Sequence, residues 1–321
     1  MRVFLLLLVA SSVAPTASIA QAIKFSGLVY TDYSYVIESP DTEEVGENGF
    51  GYRRLYFTTD AALSERFAAR FRLEASDRST TSQGNPAPYV KDLYVRWKNF
   101  AGEGHTLDFG VSSPPSFNVS EKFWGYRSLE KTILDLNGIV SSRDMGIAAR
   151  GPLSGEKVRY GVMVANNSGV KAESDKNKRV YAQIELYPND TFAATIGSDY
   201  ATYSDDRDGV LNANVFAGVS HEHITAGVEG FISNTTYETA QPDMKGSGVS
   251  MFLRGDISER TELVGRFDFT KMNGSQSNYF IVGVGVTPDS HVHVIPNVYL
   301  TKDEADDKYF IAGRVTVHAD F

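Results

Sequence analysis

The sequence predicts an all-β protein, a transmembrane antiparallel β-barrel of about 16 strands with an inward-folded third external loop. Three observations carry that expectation. Segments alternating apolar and polar residues recur along the chain, the connectors between them alternate short and long, and the last segment closes on an aromatic residue. In that segment Ile311, Gly313, Val315, Val317, Ala319 and Phe321 are expected to face lipid, and Arg314, Thr316, His318 and Asp320 to face water.

The first 22 residues read as a cleaved signal peptide. Arg2 is the charged start, Val3 to Ala10 the apolar run, and Ala20-Gln-Ala22 or Ser18-Ile-Ala20 the small-residue cleavage site. The apolar run is far short of the roughly 20 residues that cross a bilayer as a helix. Residues 23–321 then form one barrel domain, with no linker dividing them. Mean hydropathy is slightly negative, which does not argue against a membrane location, because transmembrane strands are apolar only at every second residue.

The strands are expected to begin near Lys24, Phe50, Phe67, Tyr89, His105, Asp144, Val158, Val180, Phe192, Val210, Ile224, Ser247, Glu262, Asn278, Val292 and Tyr309. Phe67 to Ala75 is typical: Phe67, Ala69, Phe71, Leu73 and Ala75 share one face, while Arg70, Arg72 and Glu74 share the other. Tyr89 to Phe100 sets Leu93, Val95 and Trp97 against Asp92, Tyr94, Arg96 and Lys98. Thr261 to Lys271 repeats the pattern. Charges at every second position suit a water-filled lumen better than a sandwich core. Short connectors such as Glu65-Arg66, Ser154 to Lys157 and His221 to His223 are assigned to the periplasmic side, with longer ones such as Ile37 to Asn48 and Asp77 to Pro88 outside. Tyr33, Tyr35, Trp97, Tyr187, Tyr279 and Phe321 are expected to anchor the barrel at the lipid interfaces, and Arg53 to turn toward lipid and snorkel at the outer rim.

The connector after the fifth strand, Ser112 to Arg143, is much the longest. Long connectors are usually functional. It carries Pro114-Pro115, the aromatics Phe117, Phe123, Trp124 and Tyr126, and the charged residues Glu121, Lys122, Arg127, Glu130, Lys131 and Asp135. An apolar side packed on the barrel wall, with charges narrowing the channel, accounts for this composition. An exposed loop with a short amphipathic helix is the alternative.

Composition excludes several classes. There is no Cys, so no disulfide holds a secreted fold together, and a closed sheet must do so. Thirty-one basic residues stand against 40 acidic ones; losing Arg2 with the leader leaves 30 against 40, a net of −10, which argues against nucleic acid. No catalytic motif is present. His221-Glu-His223 and the pair His291 and His293 lack a third ligand, so no metal site is assigned and no cofactor is implied.

Phe50-Gly-Tyr-Arg-Arg-Leu-Tyr-Phe, the turn Ala61-Ala-Leu-Ser-Glu-Arg-Phe-Ala, Val90-Lys-Asp-Leu-Tyr-Val and Ser142-Arg-Asp-Met-Gly-Ile together resemble the phosphate-selective porin O and P group of outer-membrane porins, over about Lys24 to Tyr187. The resemblance implies a trimeric 16-stranded channel with an inward third loop and lumenal arginines. The chain departs from that group in its acidic outer loops, Asp205-Asp-Arg-Asp208 and Asp303-Glu-Ala-Asp-Asp307, which count against phosphate selectivity. Those clusters read first as solvated charge and second as cation bridges to lipopolysaccharide.

Alternation places Arg54, Arg70, Arg72, Arg96 and Lys98 along one lumenal wall, with Glu121, Glu130 and Asp135 as opposing carboxylates. The competing reading pairs these cations with Glu74, Asp92 and Asp108 on the wall itself. Val317, Ala319 and Phe321 form the assembly signal for the barrel-assembly machinery. The expected function is passive diffusion of small hydrophilic solutes and ions across a Gram-negative outer membrane, with outer-membrane lipid and lipopolysaccharide as neighbours, and no enzymatic activity. The alternatives are an anion- or phosphate-selective channel and, in another class, a structural or adhesive barrel, which a count of eight to ten strands would favour.

Overall fold

Alternating segments joined by tight turns pair most readily with their sequence neighbours, and the computed structural model shows that meander closed on itself. It describes residues 23–77, 79–203, 207–239 and 241–321; the leader expected at 1–22 and the acidic residues Asp205 and Asp206 lie outside them. The strands are β1 (Ile23–Glu38), β2 (Asn48–Ala62), β3 (Phe67–Ala75), β4 (Tyr89–Lys98), β5 (Thr106–Ser112), β6 (Asp144–Ser154), β7 (Val158–Ala165) and β8 (Arg179–Leu186). The second half comprises β9 (Phe192–Thr202), β10 (Arg207–His221), β11 (Ile224–Tyr237), β12 (Met244–Ser258), β13 (Thr261–Met272), β14 (Ser275–Asp289), β15 (Val292–Asp303) and β16 (Phe310–Asp320). They form one closed antiparallel barrel of 16 strands, β1 pairing with β16. Every expected start lies within three residues of the observed one, the largest offsets being Val210 for Arg207, Ser247 for Met244 and Asn278 for Ser275. One outer connector is short: β13 and β14 are joined by Asn273-Gly274, with φ of 53° and 91°, as a two-residue hairpin requires.

The outside is apolar. Leu55, Phe57, Phe71, Leu93, Val95, Phe109, Ile147, Ile196, Val215, Val228, Leu253 and Val282 are exposed around the barrel, while their lumen-facing neighbours include the buried Arg54, Asp92, Asp108, Asp199, Asn212 and Asp268. The seam closes at Phe321, whose backbone exchanges hydrogen bonds with Gly27 at 2.8 and 3.2 Å. Its ring covers Gly27, where a Cβ would lie 2.1 Å from a ring carbon.

Among the register shifts of the barrel, two of one residue each change which cations face the lumen. Between Tyr30 and Thr31 the pairing of β1 with β2 skips Arg53, and between Arg72 and Leu73 the pairing of β3 with β4 skips Lys91. A bulge of this kind lets two consecutive side chains point the same way. Arg53 therefore joins Arg54 in the lumen, contrary to the lipid-facing rim position expected of it, and Lys91 joins Asp92. Tyr187 and Tyr279 also depart from expectation. Both face inward, against the apolar cluster of the lumen, and do not anchor the barrel in lipid.

Residues 113–143 leave β5 and return to β6 through two short helices, α1 (Asn118–Trp124) and α2 (Ile133–Leu136). Phe117, Ile133, Leu134, Ile139 and Val140 pack with the inward-facing Ala148, Met163, Ala165, Tyr181 and Phe231. Val119, Trp124 and Leu129 pack with Phe216, Phe252, Val264, Ile281 and Ile295. Trp124 is 1% exposed and Leu129, Ile133, Leu134 and Val140 are 0% exposed.

Candidate functional site: a charged crevice between the long connector and the wall of β1 to β6

The apolar packing holds the connector against β6 to β15, so its other side looks across the lumen. There a crevice of about 230 Å³ is lined by Tyr30, Arg53, Arg54, Glu74, Tyr89 and Lys91 from the wall and by Arg127, Glu130 and Lys131 from the connector.

The wall has a repeating construction. Four of its buried carboxylates are each shared by two cations from the elements beside them. Glu74 of β3 takes Arg54 at 3.3 Å and Lys91 at 2.9 Å. Asp92 of β4 takes Arg72 at 3.2 Å and also Arg143. Asp108 of β5 takes Arg96 at 2.6 Å and Arg150 at 3.1 Å. Asp32 of β1 takes Arg53 and, at 3.9 Å, Arg314. Four carboxylates thus meet eight cations, an excess of four positive charges along one side of the lumen. Tyrosines brace the guanidinium groups: Arg54 lies 5.5 and 5.3 Å from the ring centres of Tyr30 and Tyr56, Arg72 lies 4.7 Å from Tyr56, and Arg96 lies 5.2 Å from Tyr94. Such stacking leaves guanidinium edges free for hydrogen bonding.

The expected wall residues are distributed unevenly. Arg54 borders the crevice; Arg72 and Arg96 continue the shared pairing away from it; Arg70 makes a one-to-one pair with Asp60 at 2.7 Å. Lys98 ends β4 beside a short turn, its backbone N–H donating to Arg66 O at 2.7 Å. Arg54, Arg72 and Arg96 do pair with Glu74, Asp92 and Asp108, as the competing sequence reading has it, but two cations share each carboxylate. Lys91, Arg143 and Arg150 carry no assignment from sequence, Arg53 is expected there to face lipid, and Arg314 is expected to face water but is not named as part of this wall. For Arg53 and Lys91 the signal is weak, a basic residue breaking the alternation beside another charged one.

On the connector, Glu121 and Asp135 direct their short-range pairing to Arg127 rather than to the wall; the Arg127–Asp135 distance is 2.5 Å, and Lys131 reaches Asp135 at 3.5 Å. Burial pushes the Asp135 carboxyl up, but the charges of Arg127 and Lys131 and the Arg127 hydrogen bond outweigh it, leaving Asp135 below the usual carboxylate range. Glu130 borders the crevice, and its carboxylate accepts from the Lys131 backbone N–H at 2.9 Å. Lys122 is exposed on α1.

Wall side chains also grip the connector's backbone. Arg53 donates to Ser128 O and, at 2.9 Å, to Leu129 O. Arg314 donates to Leu129 O at 2.8 Å, Arg179 to Ile139 O at 2.8 Å, Arg150 to Ser113 O and Arg266 to Lys131 O. Inward-facing glycines make room: a Cβ at Gly218 would meet Phe123 at 2.6 Å, one at Gly285 the Tyr126 hydroxyl at 2.2 Å, and one at Gly161 Pro115 at 2.6 Å.

His223 lies 3.3 Å from Asp256 and His291 lies 3.4 Å from Asp320; among the described residues no cluster of three metal-ligating side chains occurs. Val317 and Ala319, expected from sequence to signal assembly, face outward on β16, across from Thr31 and Val29 of β1, and Phe321 is 72% exposed.

No family model and no curated protein matches the sequence. Solved structures match the fold. An anion-selective porin from Comamonas acidovorans aligns over 94% of this chain and 100% of its own, with a TM-score of 0.69 and 14% identity. The outer membrane channel DcaP of Acinetobacter baumannii aligns over 94% and 97%, with a TM-score of 0.68 and 11% identity. OmpT of Vibrio cholerae, an outer membrane protein in its trimer form, aligns over 94% and 100%, with a TM-score of 0.66 and 10% identity. The chain thus has the fold of the outer-membrane porins and is an outer-membrane-type β-barrel.

Proposed function

We propose that this protein is a passive diffusion channel of the bacterial outer membrane, with an anion preference set where the 112–143 connector narrows the lumen against the wall of β1 to β6. The observation that carries the reading is the sharing of four wall carboxylates between two cations each, which leaves an excess of positive charge in these clusters beside a crevice of about 230 Å³. Fixed charges at close quarters sort ions without any energy source, and field lines concentrate in a low-dielectric cleft. Small hydrophilic solutes pass down their gradients; no cofactor takes part. An inward constriction loop fits the continuous apolar packing of Phe117 to Val140 on the inner wall. A homotrimer, a cleaved leader and the assembly role of Val317, Ala319 and Phe321 complete the reading, the first supported by the trimer form of one matched structure. Phosphate selectivity is not part of it, because the outer connector 303–307 is acidic.

The test is single-channel current in a planar bilayer under a KCl gradient, for the wild type and for Arg54, Arg70, Arg72 and Arg96 changed together to Ala. Stepwise ohmic conductance whose chloride preference falls in the variant supports the reading. Unchanged selectivity sinks the basic wall, and a folded barrel without conductance sinks the channel.

A further inference from the structure

Strand pairing brings together two histidines that lie apart in the sequence. His293 of β15 stands directly opposite His318 of β16, and directly opposed side chains have Cβ atoms about 4.5–5.5 Å apart. Both point into the lumen, since Ile295, two residues along β15, belongs to the apolar cluster beneath the connector. Their ring centres are 5.1 Å apart and their planes are inclined by 29°. The chain's six histidines all lie at the end of the barrel with the short turns, and the other four are placed differently. His105 reaches the Tyr160 hydroxyl at 3.2 Å, His223 and His291 lie beside Asp256 and Asp320, and His221 is exposed.

The ring nitrogens are set up for a ligand. Nδ1 of His293 lies 3.0 Å from the Thr287 hydroxyl, and donating its proton there leaves the lone pair on Nε2. An outer hydrogen bond of this kind fixes the tautomer and the orientation of a metal-binding imidazole. Nε2 of His318 is buried and has no hydrogen-bond partner among the described residues, a costly state for a polar atom. The Tyr30 ring stands edge-on to His318 at 4.9 Å and holds it in place. Two imidazoles on one tetrahedral ion, with metal–nitrogen bonds of about 2.0–2.1 Å, have ring centres roughly 5 Å apart, which is the spacing of this pair. Both rings line a crevice of about 250 Å³ beside Gly125, Tyr126 and Ser128 of the connector. Its charged lining sets Arg254 and Arg260 against Asp256, Glu259 and Glu262, a net of −1 with the imidazoles neutral, which favours a cation.

We propose that His293 and His318 bind one divalent transition-metal ion of the imidazole-seeking class, Zn²⁺ or Cu²⁺, in the lumen at the short-turn end. Neutral imidazole suits these ions, whereas Mg²⁺ takes oxygen ligands. Among the described residues no third ligating side chain joins the pair, so water fills the remaining positions. A bound ion turns the net charge of the crevice lining from −1 to +1. Its effect on ion flow rests on the channel reading; the binding itself does not.

The experiment is calorimetric titration of the full-length protein, without an affinity tag and in detergent, with Zn²⁺, Cu²⁺ or Mg²⁺, joined to electron spin-echo spectroscopy of the Cu²⁺ form. The wild type should bind a first Zn²⁺ or Cu²⁺ with modulation from two imidazoles, and Mg²⁺ far more weakly. His293→Gln, and His318→Phe, which keeps a ring against Tyr30, should each abolish the two-imidazole signal. Thr287→Val, which removes the orienting hydroxyl, should weaken binding by on the order of tenfold. His221→Gln/His223→Gln should leave affinity and signal unchanged. Loss of binding in that last variant, with retention in the first two, assigns the ion to the exposed turn and overturns the site. Modulation from a single imidazole overturns the pairing, and Mg²⁺ held as firmly as Zn²⁺ overturns the imidazole assignment. A barrel that binds Zn²⁺ through the pair but carries no current would defeat the channel reading while leaving this one standing.

Discussion

The two halves of the barrel's inner wall solve opposite problems with the same strand geometry. From β1 to β6 the lumenal positions are charged, bridged carboxylate by carboxylate, and braced by tyrosines. From β9 to β15 they include Phe216, Phe231, Phe252, Val264, Ile281 and Ile295, which no water-filled pore would expose. The difference teaches that the connector is part of the wall. It supplies the second apolar layer that the far half needs, and its charged side then becomes the near boundary of the crevice.

Removing the layer's anchor should have the largest effect. Trp124→Ala empties a site with 1% exposure and should cost about 3–5 kcal/mol of local packing. Circular dichroism should keep its strand signal while amide exchange in 113–143 accelerates and single-channel conductance rises. Unchanged conductance would mean that the connector does not set the narrowest point.

A change on the opposite half tests its sharing of charge. Glu74→Gln leaves Arg54 and Lys91 without their common carboxylate, at a cost of about 1–3 kcal/mol. Reversal potentials should shift toward greater chloride preference, the opposite sign from removing the arginines. A shift toward cations would show that the wall's charges are not what sorts the ions.

The crevice should also respond to acid. Asp135 is held below the usual carboxylate range, so its pairing with Arg127 and Lys131 contributes stability above the unfolded value and loses it as pH falls through the lower folded one. The part of conductance and connector exchange that depends on this pairing should change only below about 4. A transition near neutral pH would assign the response to another group. The smallest effect is expected of Lys98→Ala, since Lys98 ends its strand at the rim beside a short turn. Its reversal potential should match the wild type, and a shift as large as that of Glu74→Gln would extend the selective wall to the rim.

Much of this was legible in the chain. Strict alternation in β3 and β16, and in β4 from Asp92 onward, identified their lumenal residues, because a side-chain period of two leaves only one choice of face. The same logic misplaced Arg53, Tyr187 and Tyr279. Arg53 sits at a bulge, which is a property of two paired strands and leaves only a weak mark on one of them. Tyr279 sits where both faces of a strand are apolar, as in Phe280-Ile281-Val282, so hydrophobicity alone could not tell lipid from a buried connector, whereas Tyr187 follows the end of β8 on the face of Gln183 and Glu185, and its hydroxyl donates to Glu185 at 3.0 Å. Such runs, together with Met251-Phe252-Leu253, were the available sign that something covers the inner face there.

The amino-acid pattern by itself determined the number of strands, their order and the sense of their faces, since each depends on neighbours close in sequence and on the two-residue period. Only the closed tertiary structure decided which cations share a carboxylate. Asp32 meets Arg314 from the far end of the chain, and Asp92 meets Arg143 across the whole connector. Those meetings are fixed by barrel closure and by the bulges that add Arg53 and Lys91 to the lumen, and they set the charge on the crevice.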